Sequence, residues 1–443
     1  MQLWEVMTGE GKVRGVKEDG YTVFKGIPYA RPPVGEYRFR PPAPPFVREG
    51  VLEADHFRDA AFQEAPEEGT FYEKEFNRDD RFRVGTSEDC LYLNIWTPAE
   101  SEEDNLPVAF WIHGGGFSHG NGSEMEFDGR EYCRRNVILV SIQYRLGVFG
   151  FLAHPWLCGE NERGVSGNYG ILDQIAALRW VVGNIRAFGG DPENITVFGQ
   201  SAGSISVQTL ISTELTENWI KKAIFQSAGG YDTGLNLAVP AREAMETGVK
   251  FAARCHASSV RELRSLPPQV LLRNQEEMAA ESDGLSLIFM PNIDGYVLED
   301  GYMELASHGK IKDIPYMAGC TRNDIFVTEE MLAAGDRGQL YRGCGEWCLL
   351  LERLGRAPAY IYYFTRQLPG DDAGAFHSSE LWYMFGTLDR CWRPMTEADH
   401  ELSSRMLDCW TNFIKYGNPN GKDLGQWETY TKENPYVQIL DLR

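Results

Sequence analysis

Apolar runs of strand length recur along the chain, and segments with helical periodicity separate them. The runs predict strands directly before Ser201 and at residues 91–96, 107–113, 137–144, 222–226, 314–319 and 359–364. Because these runs are apolar at nearly every position, they indicate a sheet that is covered on both faces. Residues 170–186 repeat their apolar positions with a helical period, so strand, helix and strand form a βαβ unit before Ser201.

The remaining segments predict elements around this sheet. The first residues predict a hairpin, and the prolines of segment 26–42 predict an extended segment that covers a sheet edge rather than a helix. The polar, acidic segment 60–86 is interpreted as a surface loop or cap. Further helices are predicted at residues 241–257, 259–277 and 396–416. The sequence shows no repeat and no linker, so residues 1–443 are interpreted as one α/β domain with insertions.

Composition narrows the possible partners. The formal net charge is −21, and nucleic acid or an anionic membrane surface would repel such a chain. No apolar run approaches the roughly 20 residues that span a bilayer, and the amino terminus does not resemble an export signal. The nine cysteines have scattered spacings, which favours reduced thiols in a cytoplasmic protein. Neither a metal site nor a cofactor is expected, because no further ligands accompany the closest pair, Cys344 and Cys348.

Residues 194–210 contain the most informative motif. β-branched and apolar residues lead into a Gly-x-Ser-x-Gly turn at 199–203, and small and apolar helix formers follow it. A serine at such a sharp strand-to-helix turn needs neighbouring glycines, because side chains there would collide with the backbone. Ser201 is therefore predicted to be a nucleophile that forms an acyl-enzyme. A second match around Ser118 has no helical segment behind it, so Ser118 is predicted to be a loop serine.

The base is expected after Ser201, because α/β hydrolases order their triads as nucleophile, acid and histidine. His256 ends a predicted helix, where it would complement the negative end of the helix dipole. His400 lies among acidic residues of the last helix, and His308 precedes the strand that should carry the acid. His377, in a loop after the last predicted strand, is predicted to be the base.

The acid is expected after a strand that lies between the serine and the histidine. Asp324 follows the strand at 314–319, and a carboxylate there would orient the imidazole and stabilise its protonated form. Asp294 is the main alternative, but the Asp-Gly pair that it begins is first of all a turn signal. Glu329 is a weaker alternative, since it lies about one helical turn later.

The glycines after the strand at 107–113 predict an oxyanion hole. Consecutive glycines allow the backbone to approach a substrate closely, and backbone amides need no reorganisation to stabilise developing negative charge. The expected donors are the amides of Gly115, Gly116 and Ala202. Four aromatic residues flank this site and are expected to line a substrate pocket, although a plain core role fits them equally well: Phe117, Phe376, Trp382 and Tyr383.

Several ordered motifs resemble the type-B carboxylesterases, the carboxylesterase and cholinesterase-like branch of the α/β hydrolases, over nearly the whole chain. The matching segments are residues 26–30, 38–42, 88–95, 113–117, 167–174, 188–192 and 198–203. The resemblance implies an α/β-hydrolase fold, with a large, mostly parallel mixed sheet, helices on both faces, and cap or loop excursions. It also implies the nucleophile, base, acid and amide donors that are given above.

Two of the departures from this family concern the acid and a disulfide. Members usually have glutamate as the acid; Asp324 is one methylene shorter, so its loop must approach His377 more closely. Secreted members pair the cysteine that matches Cys90 with one upstream, but no cysteine precedes Cys90 here. That difference agrees with a bacterial-type intracellular enzyme.

The predicted activity is hydrolysis of small-molecule carboxylic esters through an acyl-enzyme on Ser201, without metal or cofactor. The same triad could instead act on amides, carbamates or lactones, and the sequence does not separate these substrates. A non-catalytic binding protein like the neuroligins is the alternative from another class. Those proteins usually lack the serine and carry export signals and disulfides, unlike this chain. The sequence predicts no oligomeric state.

Overall fold

The strands of the computed structural model, which describes residues 2–282 and 287–443, follow the apolar runs of the sequence. In chain order they are β1 (Glu5–Thr8), β2 (Gly11–Arg14), β3 (Val16–Lys17), β4 (Thr22–Pro28), β5 (Val51–Glu53), β6 (Ala60–Ala61), β7 (Thr86–Ser87), β8 (Tyr92–Thr97), β9 (Leu106–Ile112), β10 (Ile138–Ile142), β11 (Gly190–Gln200), β12 (Lys222–Gln226), β13 (Val239–Pro240), β14 (Asn292–Ile293), β15 (Tyr316–Thr321), β16 (Tyr360–Phe364) and β17 (Gln438–Leu440).

The helices lie mainly between the strands and after them. In chain order they are α1 (Phe71–Phe76), α2 (Arg130–Cys133), α3 (Gly147–Phe151), α4 (Pro155–Glu160), α5 (Tyr169–Asn184), α6 (Ala202–Ser212), α7 (Ala241–Arg254), α8 (Val260–Ser265), α9 (Pro268–Ala280), α10 (Tyr302–Ser307), α11 (Glu329–Ala333), α12 (Gly338–Arg353), α13 (Leu381–Phe385) and α14 (Glu397–Tyr416). Short 3-10 turns occur at Gly35–Tyr37, Asp80–Phe82, Ile185–Phe188, Glu214–Thr216 and Leu388–Arg390. Within the described ranges, every helix is too short or too polar to cross a bilayer.

One large mixed sheet organises the fold. In the described part of the chain it contains ten strands, in the order β17, β16, β15, β12, β11, β9, β10, β8, β4 and β3. The strands from β17 to β10 are mutually parallel, whereas β8, β4 and β3 join antiparallel at one edge. The α/β-hydrolase fold that the sequence predicts, with a mostly parallel mixed sheet, is thereby confirmed.

Both faces of the sheet are covered, which explains the nearly continuous apolar runs. In β9, Val108, Phe110 and Ile112 belong to one core cluster, and Ala109 and Trp111 belong to another. The first cluster includes side chains of α5, α6 and α12, and the second includes those of α13 and α14. Since successive side chains of a strand point to opposite faces, helices pack on each side of the sheet.

Two predictions about elements are wrong. The helix predicted at 259–277 is divided into α8 and α9 at Pro267 and Pro268, because proline lacks an N–H donor and disfavours helical geometry in the residue before it. The strand at 359–364 is not the last, since β17 pairs in parallel with β16. A strand of only three residues has too short an apolar run to be recognised in the sequence.

The segment 60–86, predicted to be a surface loop or cap, covers the edge of the sheet where the parallel strands end. Its helix α1 carries Glu75, whose side chain is buried and accepts hydrogen bonds from Trp382 Nε1 at 3.0 Å and Trp392 Nε1 at 2.8 Å. Arg393 Nε lies 3.0 Å from the same carboxylate. This buried carboxylate is paired and hydrogen bonded on several sides, so it fixes the cap to α13 and to the segment after it.

Candidate active site

Ser201 lies at the sharp turn between β11 and α6. Its backbone has φ 55° and ψ −127°, a strained conformation for a residue with a side chain. A Cβ atom at Gly203 would lie 2.1 Å from the carbonyl oxygen of Ile112, and one at Gly199 would lie 2.5 Å from that of Gly203. The structure therefore confirms the steric reason for both glycines of the motif.

A buried carboxylate holds the imidazole of His377. Asp324 Oδ1 lies 2.6 Å from His377 Nδ1. Asp324 Oδ2 accepts hydrogen bonds from Ser227 Oγ at 2.7 Å and from the backbone N–H of Thr321 at 2.9 Å, and Oδ1 accepts one from the N–H of Ile325 at 2.8 Å. The carboxylate therefore has partners for both of its oxygens.

The two partners shift each other's pKa in the directions expected of an ion pair. Burial raises the pKa of Asp324, but the charge of His377 and the hydrogen bonds to the carboxylate outweigh it and hold the pKa below its usual value. Burial lowers the pKa of His377, and the neighbouring Asp324 carboxylate outweighs that effect and raises it. The pair thus favours a charged aspartate and makes a positive imidazolium easier to form.

The loops that carry this pair are joined by their backbones. The N–H of Asn323 donates to the carbonyl oxygen of Ala375 at 2.9 Å, and the N–H of Ala375 donates to Asn323 Oδ1 at 3.1 Å. Asn323 and Phe376 also form a parallel β-bridge. These contacts explain how an aspartate, with its short side chain, reaches the imidazole.

The other side of the imidazole faces Gln200. The side-chain nitrogen of Gln200 lies 3.1 Å from His377 Nε2 and 3.5 Å from Nδ1. Within the described residues, no hydrogen bond joins His377 to Ser201. Catalytic hydrogen bonds are often long or poorly aligned before substrate binds, so this geometry is compatible with a base that changes partner.

Changing Gln200 to glutamate is expected to move the acid limb of the kcat/KM profile to higher pH. The new carboxylate would stabilise the imidazolium of His377, so the base would be lost at a higher pH, by about one unit. The measurement is kcat/KM on a neutral ester as a function of pH. Gln200→Ala is the control, since it adds no charge and should leave the limb in place; an equal shift in both variants would contradict the argument.

The glycine loop after β9 presents free backbone amides beside Ser201. Gly115 and Gly116 have φ values of 93° and 61°, and a Cβ at Gly115 would lie 2.1 Å from the carbonyl oxygen of His119. In the part of the chain that the structure describes, nothing accepts a hydrogen bond from the N–H groups of Gly115, Gly116 or Ala202. Free backbone donors of this kind can stabilise a negative charge that develops on a bound carbonyl oxygen.

The candidate nucleophile, base and amide donors border one cavity of about 620 Å³. The residues that line it include Ser201, His377, Gly115, Gly116 and Ala202. Aromatic side chains of the cap also contribute to the wall, namely Tyr72, Phe76 and Phe82. The cavity therefore brings the candidate nucleophile, base and amide donors together, although they come from distant parts of the chain.

Of the four aromatic residues predicted to line the pocket, only Phe117 is among the described residues that border this cavity. Trp382 and Tyr383 are fully buried; Trp382 packs on Phe76, and the Tyr383 hydroxyl donates to Asp399. Phe376 packs against rings of the cap. The prediction is wrong for Phe376, Trp382 and Tyr383. The cap covers the first two, and Tyr383 is part of the core through its contacts with Phe364 and Asp399.

The alternative bases lie elsewhere on the surface. His256, His308 and His400 are exposed, and none of them borders the catalytic cavity. Ser118 lies in a turn with its Oγ 2.8 Å from His119 Nδ1, and it is not among the described residues of the cavity wall.

The alternative acids have other roles. Asp294 accepts hydrogen bonds from three successive backbone N–H groups, which is the turn geometry that its sequence predicts. Glu329 begins α11 with a side chain that is 73% exposed, and it accepts a hydrogen bond from Asn323. Neither carboxylate contacts His377.

Three polar residues near the pair were missed by the sequence reasoning: Gln200, Ser227 and Glu380. Glu380 is fully buried, and burial together with the Asp324 charge raises its pKa to about 7. Ser227 directly follows β12, whose carboxyl end lies at the same edge of the sheet as Ser201. The position of Ser227 directly after a predicted strand could have identified it in the sequence, because ligands of open α/β sheets bind at this edge.

A pair of neighbouring carboxyl groups, one buried and one partly buried, also borders the cavity. Glu124 and Glu126 hydrogen bond to each other, and Glu126 is 1% exposed. Burial raises the pKa of Glu124 to about 6, and burial and the charge of Glu124 raise that of Glu126 well above its usual value. Among the described residues, Glu126 Oε2 has no hydrogen-bond partner. Ionising this pair in the folded protein is therefore costly.

Changing Glu126 to glutamine is expected to raise the free energy of unfolding at pH 8 by on the order of 2 kcal/mol, because a neutral amide avoids the cost of protonating or burying this carboxylate on folding at that pH. Both pKa values are raised on folding, so the pair's stabilising contribution is complete below about pH 4.5 and is lost as pH rises through the folded-state values. The advantage of the variant should thus shrink as the pH is lowered from 8 to 5 in urea unfolding. Glu64→Gln, an exposed change in the same wall, should have little effect; equal stabilisation by both would contradict the prediction.

Within residues 2–282 and 287–443, no three or more His, Cys, Asp or Glu side chains are grouped so that they could hold a metal ion.

Comparison with known proteins gives concordant matches. A family model described as the carboxylesterase family matches residues 3–341 and 347–442. The para-nitrobenzyl esterase of Bacillus subtilis is 33% identical over 98% of this chain and 94% of its own length. The fumonisin B1 esterase of Sphingopyxis macrogoltabida is 32% identical over 96% of this chain and 84% of its own. A solved structure of PNB esterase superposes with a TM-score of 0.84 at 31% identity, covering 99% of this chain and 96% of that one.

Proposed function

This chain belongs to the carboxylesterase family and is a carboxylic ester hydrolase, and we propose that Ser201, His377 and Asp324 carry out its reaction. One observation carries the assignment: the strained Ser201 and the buried His377, which Asp324 holds from behind, border the same cavity as the free amides of the glycine loop. A serine, a base held by a carboxylate, and preformed amide donors are the parts that acyl transfer needs.

In the first half-reaction, Ser201 Oγ attacks the carbonyl carbon of the ester while His377 Nε2 takes the hydroxyl proton. His377 must then exchange its contact with Gln200 for one with Ser201. The N–H groups of Gly115, Gly116 and Ala202 stabilise the negative charge on the carbonyl oxygen. When the carbon–oxygen bond to the alcohol breaks, His377 donates its proton to the alcohol, and Ser201 is left acylated.

In the second half-reaction, water attacks the acyl group with His377 as the base again, and the acid leaves as Ser201 recovers its proton. Asp324 keeps the proton on Nδ1 and stabilises the imidazolium in both halves. Ser227 and the backbone donors keep the aspartate charged, as the direction of its pKa shift supports. No step requires a metal or a cofactor.

The substrates that we propose are small-molecule esters. A cavity of about 620 Å³ with aromatic side chains from the cap suits a compact, partly apolar ester. The relatives named for para-nitrobenzyl and fumonisin B1 esterase activity support this class of substrate. We also propose a cytoplasmic location, which the nine free cysteines support.

A fluorophosphonate probe tests the assignment of the nucleophile. It should add one phosphonyl group per chain, found by mass spectrometry on the peptide that contains Ser201. Ser118→Ala is the matched control, because Ser118 lies in the other Gly-x-Ser-x-Gly match, and this variant should label fully. Labelling of Ser201→Ala at the wild-type rate, or loss of label in Ser118→Ala, would contradict the assignment.

A further inference from the structure

A cavity of about 600 Å³, separate from the catalytic one, lies at the same edge of the large sheet. Its wall includes Arg322, Arg337, Tyr363 and Arg366. Arg322 directly follows β15, and Arg366 lies two residues after β16, so the cavity is outside the carboxyl ends of two parallel strands. Ligands of open α/β sheets commonly bind at this edge.

The wall keeps positive charge although the chain as a whole is strongly acidic. Arg366 donates through Nε and Nη2 to Asp399 and is largely neutralised. Arg322 Nη2 lies 3.9 Å from Glu329 Oε2, which is too long for a hydrogen bond. Asp441 is the acidic residue among the described residues of the wall. The positive charge of this wall therefore comes from Arg337, which forms no ion pair among the described residues, and from Arg322, whose only such pair is the long one with Glu329.

The guanidinium of Arg337 is held in place before any ligand arrives. It lies 4.8 Å from the ring centre of Tyr341 and 5.2 Å from that of Tyr363, and its Nη1 donates to the Tyr341 hydroxyl. Such stacking fixes the plane of the group and leaves its other N–H donors available.

The hydroxyl of Tyr363 is a further hydrogen-bond donor, and it has no acceptor among the described residues. The side chain is buried, with the residue 3% exposed, and its oxygen has no hydrogen-bond partner there. A buried hydroxyl without a partner is costly and calls for an explanation. Burial raises the pKa of this phenol, so the hydroxyl stays protonated and can donate a hydrogen bond to an acceptor.

We propose that Arg322, Arg337 and the Tyr363 hydroxyl bind a small oxyanion with two or more negative charges, either a phosphate group or a polycarboxylate. Guanidinium groups match the paired oxygens of such anions, and the phenol gains the acceptor that it lacks. No described residue borders both cavities, so this site is distinct from the one that hydrolyses esters.

Isothermal titration of the full chain with inorganic phosphate, and separately with citrate, tests the proposal. At least one anion should bind saturably at millimolar concentration or below, and sodium chloride of equal ionic strength should not reproduce the heat. Binding of phosphate alone identifies a phosphate site, and binding of citrate alone a polycarboxylate site. Absence of saturable binding for both anions would overturn the proposal.

Two variants assign the binding to this cavity. Arg337→Gln should weaken the affinity about tenfold, as expected for the loss of a charge-assisted hydrogen bond. Tyr363→Phe removes one oxygen, keeps the ring packing, and should also weaken binding. Arg342→Gln, an exposed change in α12 outside this cavity, should bind as wild type does. Wild-type affinity in both of the first two variants, or equal weakening in all three, would overturn the assignment.

Discussion

Replacing Ser201 with alanine is expected to lower kcat on a p-nitrophenyl ester by about 10⁶-fold, as removal of a triad nucleophile does in other serine hydrolases. Without the hydroxyl, no acyl-enzyme forms, and water must attack the ester directly. The amides of Gly115, Gly116 and Ala202 would remain to stabilise the oxyanion, so a small residual rate above that of water is expected. Release of p-nitrophenol under saturating substrate measures the loss.

Ser118→Ala is the matched control for this experiment. Ser118 lies three residues after Gly115 in the same loop, but its hydroxyl faces His119. The variant should retain kcat close to that of wild type. If Ser201→Ala kept more than a few per cent of wild-type turnover, the proposed mechanism would be wrong.

The second large effect is expected at Asp324, where asparagine should lower kcat by about 10⁴-fold. The amide NH₂ of asparagine would donate to His377 Nδ1 and place the imidazole proton on Nε2. That nitrogen could then no longer take the proton of Ser201, and the imidazolium would lose its stabilising charge. The loss should appear in kcat more than in KM, because the carboxylate acts on the transition state.

Asp294→Asn provides the matched control. Asp294 was the main alternative acid in the sequence, and the structure gives its carboxylate three backbone donors in a turn. Asparagine can accept these bonds through its own carbonyl oxygen, so turnover should stay close to wild type. A larger loss in Asp294→Asn than in Asp324→Asn would reverse the assignment of the acid.

The elements of the sheet could be predicted from the sequence because they depend on local patterns. The strand predicted at 222–226 agrees with β12 to the residue, and that at 107–113 agrees with β9 to within one residue at each end. Such strands are buried on both faces, so their apolar runs are long and clear. β17 has three residues and therefore escaped prediction, although it extends the sheet at its edge.

Within the candidate site, residues with a local signal were found, and residues defined by distant contacts were not. The Gly-x-Ser-x-Gly turn at 199–203 and the glycine run before Phe117 have local steric reasons that the sequence displays. Gln200 and Glu380 are placed by contacts with residues more than 100 positions away. No periodicity or spacing in a single sequence indicates such contacts.

The aromatic residues that were predicted to line the pocket also show that contacts with distant residues cannot be predicted from one sequence. Trp382 and Tyr383 are close to His377 in sequence, and this proximity suggested that they line the pocket. The environment of Trp382 depends on the cap, whose Glu75 lies 307 positions earlier, and Tyr383 packs instead against Phe364 of β16. A residue's neighbourhood in sequence therefore did not decide whether its ring faces substrate or core.

The anchoring of the cap has a consequence for how enzymes of this architecture diversify. The reacting groups lie on strand ends and on the loops beside them, whereas Tyr72, Phe76 and Phe82 come from a separate surface segment. That segment is tied down by the buried Glu75. Mutations on its inner surface can therefore reshape substrate preference while the chemical machinery keeps its geometry. Substrate preference and catalysis thus depend on separate parts of the chain, and directed evolution of selectivity would begin most productively in residues 60–86.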